Sequence, residues 1–157
     1  MTQPSLTHYQ LGSGVVAFSS TRHGGYSQGH YAAFNINNYC GDDPAAIQKN
    51  REALCHLLGI EDNRLLMPHQ VHRAEVAYIN TSFLDLTPEE QKEKLEGIDA
   101  ITTNIPGICI GVSTADCIPI LLYDPQHRVV AAVHAGWRGT VQRIAVKAVE
   151  AMMTTYG

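Results

Sequence analysis

Apolar and polar positions along this chain fall into short runs, each closed by its own turn residues. The run over residues 15–19 is short enough for a strand. It opens into Thr21-Arg22-His23-Gly24-Gly25-Tyr26-Ser27-Gln28-Gly29, where three glycines among small polar residues break any regular element. Asp42-Asp43-Pro44 then begins a helix, with Asp43 placed to cap it and Pro44 at the first helical position, where a missing N–H costs nothing. Ile47, Leu54, Leu57 and Leu58 form the apolar stripe of that helix, and Gly59 stops it. Strands are expected over residues 65–67 and 75–79, around Pro68-His69-Gln70-Val71-His72. Thr87-Pro88-Glu89-Glu90 has the spacing of a capping box and starts a polar, peripheral helix that runs to about Leu95.

From Asp99 the texture changes. Apolar runs over residues 100–102, 108–113, 118–123 and 129–133 are separated by Asn104-Ile105-Pro106-Gly107 and Asp124-Pro125-Gln126, and read as neighbouring strands of a buried sheet. The last strand continues through His134-Ala135-Gly136-Trp137-Arg138-Gly139 into a helix in which Val141, Ile144, Ala145, Ala148, Val149 and Met152 form one apolar face. Strand, glycine-bearing turn and helix make a βα unit. No repeat, low-complexity tract or linker interrupts the chain, so residues 1–157 are expected to form a single domain.

Composition narrows the partners. The chain has 157 residues, and its 45% hydrophobic content suits one soluble core. Eleven Lys and Arg stand against 15 Asp and Glu, a net charge of -4, so no basic block attracts a phosphate backbone and nucleic acid is not an expected partner. The opening MTQPSLTHYQ has neither the basic nor the apolar region of a signal peptide, and no apolar run approaches the ~18 residues that span a bilayer. A cytoplasmic protein with no membrane partner is expected. Cys40, Cys55, Cys109 and Cys117 contain no CxxC pair, which fits reduced thiols or a metal ligand better than disulfides.

Three side chains lie beside glycine, proline or small residues at the edges of expected strands: His72, Cys117 and His134. Two imidazoles and a thiolate form one attested zinc set, with a fourth position left for water. Taken singly, each histidine also suits a hydrogen-bonded structural role. A nucleophilic Cys117 with His72 or His134 as base uses the same residues, and the sequence does not separate the two chemistries. Cys117 follows Thr114-Ala115-Asp116 and precedes Pro119, a sequence that suits a bend exposing the thiol. Such a bend would bring Asp116 into the same site as a proton carrier. Cys109 reads as a small apolar strand residue, His56 and His127 as solvated or structural, and His69 as a neighbour supporting the site. No H-x-H pair occurs, so the imidazoles of a three-copper cluster are missing.

Thr21-Arg22-His23-Gly24-Gly25-Tyr26-Ser27, Phe34-Asn35-Ile36, Gly41-Asp42-Asp43, Asn50-Arg51, Gln70-Val71-His72, Thr114-Ala115-Asp116-Cys117 and His134-Ala135-Gly136-Trp137-Arg138-Gly139 follow one another in the order of a single family. The sequence resembles the bacterial laccase-domain family, also called the multicopper polyphenol oxidase or purine nucleoside phosphorylase-like family. The resemblance implies an α/β sandwich with mixed sheets flanked by helices. It also implies a metal-dependent enzyme of purine nucleosides, with phosphorolysis of adenosine, inosine and methylthioadenosine and deamination of adenosine, and some relatives linked to editing of peptidoglycan precursors. By motif, His72, Cys117 and His134 become zinc ligands, copper being the older assignment. Asp116, Arg22 and Cys117 become catalytic candidates, and Arg22, Gly24, Gly25, Asn35 and Arg138 candidates for binding nucleoside and phosphate. Two departures stand out: Arg73 replaces a common glycine, and family members run about 100 residues further. The chain therefore looks like the N-terminal portion of the family domain.

Overall fold

A computed structural model describes residues 3–157; Met1 and Thr2, part of the stretch read for a leader, lie outside the described residues. The chain divides into two compact units, one holding Val16–Leu65 with the residues up to Gln10, the other Leu66–Gly157 with Leu11–Val15.

In the first unit, β1 (Leu6–Tyr9) pairs antiparallel with β2 (Ala17–Ser20), Leu6 opposite Ser20 and Tyr9 opposite Ala17. Helix α1 spans Pro44–Leu58. Asp43 caps it by accepting the Ala45 N–H, and Gly59 ends it in the left-handed conformation at φ 68°, as the local sequence requires. Leu54 is buried in the expected stripe, whereas Leu57 is 37% exposed. The wholly buried Asn50 organises the loops around the helix. Its Oδ1 accepts the Tyr26 N–H at 2.8 Å, while its Nδ2 donates to the Asn35 carbonyl at 2.8 Å and to Ser27 Oγ at 2.9 Å. Arg51 donates to Asp62 Oδ1 at 3.1 Å and to the Leu65 carbonyl at 2.8 Å. The Asn50-Arg51 motif thus builds the scaffold, because buried polar groups persist only when paired.

In the second unit the elements follow as β3 (Leu65–Leu66, its first residue shared with the first unit), β4 (Val76–Ile79), α2 (Thr81–Leu84), α3 (Pro88–Lys94), β5 (Ala100–Thr103), β6 (Cys109–Ile110), β7 (Ile118–Asp124), β8 (Val129–Ala135), α4 (Trp137–Val141) and α5 (Ile144–Tyr156). Four of the strands form a mixed sheet in the order β4-β5-β8-β7, with β4 and β5 parallel and the other pairs antiparallel. Alternation in the central strands divides the core. Ile101 and Ala132 face a cluster with Leu66, Ile79, Phe83 and Leu95, while Ala100 and Val133 face Ala74, Ala135, Ile144 and Ala148. The result is a mixed α/β arrangement with sheets flanked by helices, the expected fold class. Helix α3 starts with the capping box of Thr87 and Glu90 and buries none of its own residues, so it is peripheral.

Two expectations are corrected. The run over residues 108–113 does not join the main sheet; only Cys109–Ile110 forms a strand, and it pairs with β3. The single terminal helix is two, because Arg143 adopts φ 63° between α4 and α5. That break takes Val141 off the buried face and leaves it 75% exposed, while Ile144 and Ala148 stay fully buried.

Candidate metal centre

Each of the three candidate ligands is placed by a different local device. His134 lies near the end of the central strand β8, paired with Pro119 of β7, and is buried. Cys117 is the last residue of a bend over residues 115–117 and immediately precedes β7, so the register that pairs Ile118 with Ala135 brings it alongside Gly136. His72 is exposed and sits in the turn ahead of β4, with a left-handed φ of 62°. That conformation is uncommon for a residue with a Cβ, although histidine enters it more readily than most. The ligand atoms of His72, Cys117 and His134 all lie within 4.8 Å of one another. The two imidazole rings meet edge to face, with centroids 4.7 Å apart.

Two glycines leave room around this convergence. A Cβ built on Gly136 would lie 3.1 Å from Cys117 Sγ and 3.1 Å from His72 Cδ2. One on Gly139 would lie 2.8 Å from the Arg73 carbonyl, so α4 can approach the His72 turn only without a side chain there. Arg73, by contrast, does not disturb the turn: outside glycine, positive φ among the described residues occurs at His72, Arg128 and Arg143.

Asp99, absent from the sequence-derived set, is the residue that joins these segments. It is fully buried at the start of β5, where its carbonyl accepts the His134 N–H at 2.8 Å. Its carboxylate accepts the backbone N–H groups of Val71, His72 and Arg73 at 3.3, 2.9 and 2.8 Å, and lies 2.8 Å from His134 Nδ1. An acidic residue directly before the apolar run of residues 100–102 was the available signal.

The donor set fits a metal. Zinc bonds of about 2.0–2.3 Å put tetrahedral donors roughly 3.3–3.8 Å apart, inside the 4.8 Å within which these three ligand atoms already lie. With Nδ1 of His134 directed at Asp99, its Nε2 is the nitrogen left for an ion. His72 is exposed and Cys117 half-buried, which leaves the site approachable from solvent. Asp116 is exposed and places Oδ1 4.0 Å from Cys117 Sγ.

The remaining candidates are placed as follows. Arg138 stands at the start of α4 with its guanidinium carbon 5.3 Å from the ring centre of Trp137, which is 72% exposed. In the first unit, Arg22 donates through Nε and Nη2 to the Ala32 carbonyl at 2.8 and 2.6 Å, and its own carbonyl accepts from Ala33 and Phe34. Gly24 and Gly25 allow close chain passage, since a Cβ would run into the Gln3 carbonyl at the first and the Ala33 carbonyl at the second. Asn35 donates to Asp42 Oδ2 at 2.9 Å and accepts from the Asn37 N–H. Burial opposes the charge of Asp42, yet hydrogen bonds from Ser27, Asn35 and the Asp43 amide outweigh it and hold this carboxyl below its usual value. His69 pairs with Glu96 at 2.7 Å and His127 with Asp124 at 2.7 Å. Cys40, Cys55 and Cys117 are free thiols, and Cys109 forms no disulfide.

A family model described as multi-copper polyphenol oxidoreductase laccase matches residues 16–157, nearly the whole chain. The chain belongs to this laccase family. Among its relatives, a purine nucleoside phosphorylase of Bacteroides thetaiotaomicron is 40% identical over 140 residues, covering 89% of this chain and 51% of that protein. Adenosine deaminase RL5, from an unknown prokaryotic organism, is 47% identical over 139 residues, covering 88% of this chain and 53% of the relative. The crystal structure of YlmD from Geobacillus stearothermophilus superposes with a TM-score of 0.80 at 33% identity, over 90% of this chain and 53% of that one. The chain therefore spans about half the length of the laccase-family relatives it matches. No helix among the described residues is long and apolar enough to cross a membrane.

Proposed function

We propose that this chain carries the metal centre of a zinc-dependent purine nucleoside enzyme of the laccase family, one that phosphorolyses adenosine, inosine and methylthioadenosine and deaminates adenosine in the cytoplasm. The observation that carries the proposal is the convergence of His72, Cys117 and His134, with His134 Nδ1 turned towards Asp99. The names of relatives, purine nucleoside phosphorylase and adenosine deaminase, supply the substrate class. Zinc held by these three donors would supply Lewis acidity, the property that lowers the pKa of a bound water to about 7.

The chain's own residues have separable tasks. Asp116 holds or releases a proton at Oδ1 beside Cys117, and so can serve the departing purine in phosphorolysis or the leaving ammonia in deamination. Phosphorolysis also needs a cation for the attacking phosphate. Arg138 is carried by α4, directly after the strand that holds His134, and its planar guanidinium can grip phosphate with two hydrogen bonds. We keep Arg22 as a second phosphate candidate, with its Nε and Nη2 already bracing the Ala32 carbonyl.

One further reading has an observation in its favour. Asp99, His134 and Cys117 also form the order of an orienting carboxylate, a base and a thiol nucleophile, as in a Cys-His hydrolase acting on peptidoglycan precursors. The second imidazole, His72, favours the metal, since a thiol nucleophile needs only one base. A copper-dependent polyphenol oxidase would require additional imidazoles that the sequence does not group. Incubation of the full-length protein with adenosine, with and without phosphate, followed by chromatography, tests the proposal. Adenine formed only with phosphate and inosine formed without it are expected. Unchanged adenosine in both would refute it.

A further inference from the structure

We infer that Asp99 is the positioning residue of the metal centre, a single buried carboxylate that fixes both the tautomer of His134 and the backbone of the His72 turn. The inference rests on the metal reading above and concerns how the chain prepares two of its three ligands.

Asp99 is fully buried and His134 nearly so, at 3% exposure. The carboxylate is satisfied by N–H groups: Oδ1 takes His134 Nδ1 at 2.8 Å and the His72 amide at 2.9 Å, and Oδ2 takes the Arg73 amide at 2.8 Å and the Val71 amide at 3.3 Å. Both oxygens already accept backbone N–H groups, and this acceptor geometry assigns the proton of the His134–Asp99 contact to Nδ1. A neutral imidazole has one N–H, and fixing it on Nδ1 leaves the Nε2 lone pair for an ion. The other two contacts within hydrogen-bond range of 2.9 Å address the second ligand. His72 holds φ 62°, a conformation costly for a residue with a Cβ, and three successive amides around it converge on the same carboxylate. The backbone of Asp99 is itself anchored, its N–H donating to Glu75 at 3.0 Å and its carbonyl accepting from His134. One side chain thereby ties the turn, the start of β5 and the end of β8 to a common point.

Asparagine is the informative replacement, because it keeps the shape and removes one acceptor. If its oxygen faces His134 and His72, its NH₂ group meets the Val71 and Arg73 amides, donor against donor. If it flips, the NH₂ group faces His134 Nδ1 and favours the tautomer with the proton on Nε2, which cannot bind an ion. Either orientation damages one arm of the site.

The test uses full-length protein and three readouts: zinc affinity by competition with a chromophoric chelator, the visible spectrum of the cobalt(II)-loaded protein, and the His134 tautomer by nitrogen-15 NMR of chelator-stripped protein, assigned with His134→Gln. We expect wild-type His134 as the Nδ1–H tautomer, and a loss of roughly 10- to 100-fold in zinc affinity for Asp99→Asn with an altered cobalt spectrum. A folded Asp99→Asn variant with unchanged affinity and spectrum overturns the role of Asp99. If that variant does not fold, the wild-type spectrum decides, and His134 carrying its proton on Nε2 overturns the inference. Wild-type protein that takes up no zinc while His134 remains Nδ1–H defeats the metal reading instead, which separates the two failures.

Discussion

Gly136 and Cys117 lie so close that a single methyl group on Gly136 would sit 3.1 Å from the thiol sulfur, and 3.1 Å from Cδ2 of the His72 ring. The backbone of Gly136, at φ -69° and ψ 167°, is open to alanine, so the requirement for glycine comes from the site and not from chain conformation. Gly136→Ala is therefore expected to fold with little change in melting temperature and to weaken zinc binding by about tenfold or more as the ligands are pushed apart. Chelator competition beside a thermal melt of the stripped protein checks both halves.

Arg22→Ala removes the two hydrogen bonds that the guanidinium gives to the Ala32 carbonyl. For an exposed side chain this should cost about 1 kcal/mol of stability, read as a lower denaturant midpoint. The ratio of phosphorolysis to deamination in the same preparation tests its second role. If Arg22 also grips phosphate, phosphorolysis falls by roughly 10²- to 10³-fold while deamination suffers much less; an equal loss of both would confine it to bracing its loop.

Asp42 gives a pH signature. Its carboxyl is held below the ordinary value of 3.8, so it contributes stability in full above that value and loses it as pH falls through the lower, folded value. Acid titration of the folded protein should show an extra loss of stability in that window. Asp42→Asn should flatten it, and identical acid limbs in variant and wild type would contradict the assignment.

Phenol oxidation should be absent from clean, zinc-loaded protein, because zinc has no redox chemistry. An oxygen electrode with a simple phenol checks this. Steady consumption that survives removal of adventitious copper would contradict it.

What the sequence disclosed follows from how local each cause is. Helix α1 was legible at both ends because Asp43, Pro44 and Gly59 act on their immediate neighbours, and α3 because Thr87 and Glu90 bond each other. His72, Cys117 and His134 were legible as residue types beside strand edges, and their convergence is present in the fold. Asp99 was not, because its meaning comes from residues 71–73 and 134, which only the sheet brings together. The break between α4 and α5 is hidden in the sequence because an apolar period runs through it and Arg143, with no glycine or proline, takes the left-handed turn. Strand β1 is hidden because three of its four residues are exposed and carry no apolar alternation.

The most direct test strips full-length protein with a chelator and returns zinc in measured steps while adenosine consumption is followed with phosphate present. The account predicts negligible turnover at the start, a linear rise that ends at one zinc per chain, and no rise in Cys117→Ser. Full turnover in the stripped protein, or none after one equivalent of zinc has bound, would contradict it.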